Sequence, residues 1–141
     1  MRAALGPEVR SSAGVAAAVR DARRRVLVGG IGYTNLRDMS AGPLLVERLA
    51  GQDWPAGVDV LDLSAGAVHI VHALQADEPY DAAIFVAAVR RGDPAGMVRC
   101  QPYVVPPAGD DEVQNRIAEA ITGVIGLDVL LTILDHFDAL P

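Results

Sequence analysis

Val26-Leu27-Val28-Gly29-Gly30-Ile31-Gly32-Tyr33-Thr34-Asn35-Leu36-Arg37-Asp38-Met39-Ser40-Ala41-Gly42-Pro43 is the stretch that decides the fold. An apolar run without alternation reads as a strand buried on both faces, over residues 25–30. It leads into a glycine-rich turn and then a helix opening at Pro43, a favourable first helical position. Glycine lets backbone approach a partner closely, and a helix start presents free N–H groups. In α/β proteins a strand, turn and helix of this kind commonly begin a ligand site.

Working outward, the remaining segments alternate in the same way. Residues 43–50 carry Leu44, Leu45, Val46 and Leu49 on one helical face, and 51–57 are a loop holding Trp54 and Pro55. Residues 58–63 read as the second strand and 66–76 as a helix with Val68, Val71 and Leu74 on one side. Residues 82–89, apolar throughout, read as the third and central strand. Residues 97–105 read as a fourth strand, placed at an edge by Pro102. Asp111 and Gln114 form a capping-box pattern ahead of Val113, Ile117, Ala120, Ile121 and Val124, and 127–137 is a last apolar segment. Strand–helix alternation implies right-handed crossovers and a parallel sheet of about four to five strands. Such a sheet places ligands beyond the carboxyl ends of its strands, here 30–38, 62–66 and 87–96, which should meet in one crevice.

A chain of 141 residues is one domain by length, with 1–24 as a leader and short helix and 25–141 as the α/β domain. Hydrophobic residues are 51% of the chain and aromatics only 4%, so the core is built from Ala, Val, Leu and Ile. The net charge of −6 and the single basic run, Arg23-Arg24-Arg25 at a strand start, argue against nucleic-acid binding. One cysteine, Cys100, excludes an internal disulfide and reads as a strand residue without an activating His. Polar residues interrupt the N-terminal region, and no apolar run approaches the ~20 residues of a bilayer span. The chain therefore reads as cytoplasmic and soluble.

The Gly30-x-Gly32 turn lacks the third glycine of a dinucleotide fingerprint, since Asn35 and then Gly42 follow. Asp38, Asp62 and Asp128 stand near strand ends or helix starts, where carboxylates do acid–base work or, more commonly, cap helices and tie turns. His69 and His72, three apart on one helix, are the candidate metal pair, with Asp38 or Asp62 as a third ligand. Their apolar neighbours favour a half-buried helix flank instead. Neither a Gly-x-Ser-x-Gly elbow nor a His-Glu-x-x-His helix is present. Function centres on 30–42, with Asp38 as its foremost residue.

From Val26 to about Leu134 the chain resembles the nickel-iron hydrogenase maturation endopeptidases. Their opening motif runs Gly-x-Gly-Asn, then Asp followed by an acidic nickel-binding residue, then Gly. The matching residues are the glycine turn with Asp38 and Gly42, Leu61-Asp62-Leu63-Ser64-Ala65-Gly66, Tyr80-Asp81, Asp93-Pro94-Ala95-Gly96 and Leu127-Asp128-Val129-Leu130. The resemblance implies an α/β three-layer sandwich with a mostly parallel sheet, phosphorylase/hydrolase-like, and a nickel-bearing hydrogenase large-subunit precursor as partner. It places the family's metal contacts at Met39, Ala87 and approximately Thr122. A thioether is poorly matched to Ni(II) and a methyl group donates nothing. The family's last strand and final helix have no counterpart before Pro141. The expectation is a binding-only relative without a cofactor of its own beyond the client's nickel, which uses Gly30, Gly32, Asp38, Met39, Asp62, Ala87 and Thr122 as a partner-binding crevice. An active endopeptidase and a small-molecule or nucleotide binder are the alternatives.

Overall fold

A computed structural model describes residues 24–76, 78–121, 123 and 125–141. The expected leader and its short helix lie outside the described residues. Strand β1 (Val26–Ile31) is followed by a 3-10 turn (Arg37–Ser40), helix α1 (Ala41–Ala50), strand β2 (Val58–Asp62), helix α2 (Ala67–Gln75), strand β3 (Ala82–Ala87), helix α3 (Asp110–Ile121) and helix α4 (Leu127–His136). The protein is mixed α/β, with an open parallel sheet of order β2-β1-β3. β1 pairs in register from Val26↔Val58 to Gly30↔Asp62 on one side and from Val26↔Ala82 to Ile31↔Ala87 on the other.

The central strand is β1, and the 82–89 segment expected there is an edge. Small residues explain the exchange. A Cβ at Gly29 would lie 2.4 Å from a Leu63 methyl, and one at Gly30 would lie 2.4 Å from the Gly42 carbonyl and 2.5 Å from Val46. Side-chain bulk is thus withheld where neighbours must close on both faces. β3 has no such pair, and its Ile84 is 54% exposed.

The fourth strand does not form among the described residues. Residues 97–109 are irregular, Val98 is 92% and Val104 84% exposed, and Cys100 is exposed rather than in a strand. Pro102 lacks the donor that a ladder needs and restricts Gln101 before it. Tyr103 and Val105 still pack on the core. Among the described residues the sheet therefore has three strands, short of the expected four to five.

That core lies on one face of the sheet. Leu27, Ile31 and Leu63 meet Ala67, Ile70, Val71 and Leu74 of α2 and the fully buried Leu130, Leu131, Ile133 and Leu134 of α4. The buried stripe of α2 omits Val68, which the periodicity had assigned to it and which is exposed. On the opposite face the ten-residue α1 stands alone among the described residues, with Val46 over Gly30, and leaves Ile84 exposed. One short helix does not make the second full layer of the expected sandwich. α1 also opens two residues before Pro43, which still falls in the first turn where its missing N–H has no helical partner. Asp111 is the second residue of α3 rather than its cap. With Asp110 and Glu112 it places three acidic side chains at the helix start, where the helix dipole favours them.

Candidate functional site

Parallel pairing brings the carboxyl ends of the strands to one edge. Gly30 stands beside Asp62 and Ile31 beside Ala87, and the Leu63 N–H donates to the Gly30 carbonyl at 2.8 Å. The backbone there closes on itself instead of leaving a crevice. A Cβ at Gly32, where φ is +155°, would come within 1.9 Å of the Met39 carbonyl oxygen, and one at Gly42 within 2.4 Å of the Ile31 carbonyl oxygen. These glycines are required by the chain's own packing, which leaves no cradle for a phosphate at Gly30-x-Gly32.

Ser40 organises the turn. Its buried hydroxyl accepts the Leu36 N–H at 2.9 Å and donates to the Tyr33 carbonyl at 2.8 Å. The Tyr33 N–H donates to the Met39 carbonyl at 2.8 Å. Asn35 and Arg37 sit at φ 67° and 48°, two non-glycine residues in the left-handed region within three positions. The phenol oxygen of Tyr33 accepts the Ile125 N–H and ties the turn to the approach of α4. Serine in a 3-10 turn gives little signal in sequence, and Ser40 was passed over beside Asp38.

Asp38 is exposed, its carbonyl takes the Ala41 N–H, and its carboxylate makes no hydrogen bond or ion pair with a described residue. Met39 is half-buried. Asp62 is exposed and accepts the Ser64 N–H at 2.9 Å, an Asx turn rather than a ligand contact. The neighbouring Ser64 hydroxyl is buried without a partner among the described residues. Ala87 turns its methyl group to the core. Thr122 lies outside the described residues.

His69 and His72 are exposed on α2, not half-buried, and no group of three or more His, Cys, Asp or Glu converges among the described residues. The residues at the metal positions named by the resemblance do not fit nickel: a thioether and a methyl group stand where carboxylates would be needed.

Two further clusters escaped the sequence reading. At the carboxyl edge the Tyr103 hydroxyl donates to the Asp128 carboxylate at 2.5 Å, and Arg91 reaches the same oxygen at 3.4 Å. Burial, and then Asp128, push the Tyr103 phenol up to about 12. At the opposite edge Arg25 pairs with Asp59 at 2.8 Å and lies 4.4 Å over the Tyr80 ring, while Tyr80 donates to Asp59 at 3.0 Å. The hydrogen bond from Arg25 holds the Asp59 carboxyl below its ordinary value. Beside this network, Leu27, Leu74, Tyr80, Phe85 and Leu140 line a cavity of about 220 Å³, at the end of the sheet away from the glycine turn. No helix among the described residues is long and apolar enough to cross a membrane. No protein-family model, curated protein or solved structure matches the chain.

Proposed function

We propose that this chain is a binding-only, cytoplasmic relative of the nickel-iron hydrogenase maturation proteases, which docks the large-subunit precursor at the carboxyl edge of its sheet and does not cut it. One observation carries the reading. The turn that resembles the family's opening motif is fixed internally by its glycines and Ser40, which leaves the Asp38 carboxylate exposed and uncommitted at its rim. A carboxylate relieved of structural duty is available to a partner's cationic or N–H groups. The side chains of Met39 and Ala87 support docking over metal-dependent hydrolysis, because neither supplies a hard donor.

Incubation with a nickel-loaded large-subunit precursor tests this. Co-elution with the precursor's mass unchanged is the expected result. Shortening of the precursor would restore the endopeptidase reading. Absence of both binding and cleavage would overturn the hydrogenase reading and leave a small-molecule binder.

A further inference from the structure

Among the described residues, β3 is the open end of the sheet. It pairs with β1 alone, and no other backbone hydrogen bond joins Ala82–Ala87 to a described residue. The ladder fixes which groups point outward. Val26 donates to the Gly57 carbonyl and Gly30 accepts from Leu63, so Val26, Val28 and Gly30 direct their backbone groups to β2. Leu27, Gly29 and Ile31 then bond β3. In a parallel ladder their register partners, Ala83, Phe85 and Ala87, turn both N–H and C=O away from the sheet. An apolar edge of this kind is a template for another strand.

The strand is also built to receive itself. A two-fold axis relating antiparallel copies must set one residue opposite its own counterpart, and the three outward residues are centred on Phe85. Pairing Phe85 with Phe85 sets Ala83 against Ala87 of the second copy and joins all the outward groups. The same register lays the exposed Ile84 beside Val86 of the second copy, on the face that α1 leaves uncovered among the described residues. Charge follows the same symmetry. β3 is preceded by the exposed Glu78 and followed by the exposed Arg90, while Asp81 already accepts the Arg25 N–H and Arg91 reaches Asp128, so an antiparallel copy places the Glu78 flank along the Arg90 flank of its neighbour. A parallel neighbour would set like charges together.

We infer that the chain forms a homodimer by antiparallel β3–β3 pairing, joining two sheets into one continuous six-stranded sheet. The inference is independent of the proposed hydrogenase role. Sedimentation of the full chain is the test, with Arg90→Glu and Glu78→Lys as separate variants. Both residues are exposed, and Arg91 is left alone because it reaches Asp128. Wild type is expected to be dimeric at about 100 μM, and each variant to weaken association about tenfold by facing like charges. An equimolar mixture of the two variants should regain the wild-type association, because both flanks of the mixed dimer are then complementary. Unchanged far-UV circular dichroism in each variant confirms that folding is retained. A monomeric wild type at that concentration, a dimer indifferent to both reversals, or a mixture no tighter than the variants alone would overturn the proposal.

Discussion

β1 and β3 are six-residue strands of nearly equal apolarity, yet β1 is buried along all but its first residue and β3 is half open. The difference lies in what the side chains leave vacant. Gly29 and Gly30 give β1 hollow positions on both faces, filled by Leu63 and Phe85 on one and by Gly42 and Val46 on the other. β3 presents full side chains and, among the described residues, has a neighbour on one edge only. Apolarity alone marks a strand as fit for burial, whereas the small residues identify the strand that neighbours can enclose.

The largest effect is expected where close approach is tightest. Gly32→Ala drives a methyl group into the Met39 carbonyl and should cost about 4 kcal/mol or prevent folding, read by urea unfolding. Next, Ile31→Ala in the core should cost about 3 kcal/mol, against less than about 1 kcal/mol for the half-exposed Ile84→Ala. Similar losses at the two isoleucines would erase the contrast between the strands. Smaller still, and opposite in sign, Ser64→Ala removes a buried hydroxyl without a partner among the described residues and should gain up to about 1 kcal/mol.

The gentlest probe is pH, with one group at each edge of the sheet. The Asp59 carboxyl is held down by Arg25, so its contribution is complete above the ordinary value of 3.8 and is lost as pH falls below it. The Tyr103 phenol is raised to about 12, so its contribution is complete below 10.0 and disappears as pH rises through about 12. Asp128→Asn should move that ionisation back toward 10.0, followed by tyrosinate absorbance. Burial keeps the return incomplete.

Periodicity identified all three strands, the helices between them and the parallel sense, because local side-chain patterns carry that information. It misplaced 82–89 and invented a strand at 97–105, because strand order depends on non-local fit. Pro102 and the exposed Val98 and Val104 decided the second case. At the site, the glycine turn was legible as a place of close approach, but the approaching group is the chain itself. Ser40, Tyr33 and the Tyr103–Asp128 pair were missed because their partners lie across the turn or more than twenty residues away.

The proposed docking divides labour within that turn: Ser40 holds it, and the exposed Asp38 meets the partner. The direct measurement is unfolding free energy and precursor affinity, taken side by side for Ser40→Ala and Asp38→Asn. Ser40→Ala strands the Leu36 N–H and the Tyr33 carbonyl and should lose about 1–2 kcal/mol of stability. Asp38→Asn should unfold like wild type while its affinity falls about tenfold, the loss of one charge-assisted contact. Loss of stability in Asp38→Asn with affinity intact would contradict the claim and make Asp38 a structural residue.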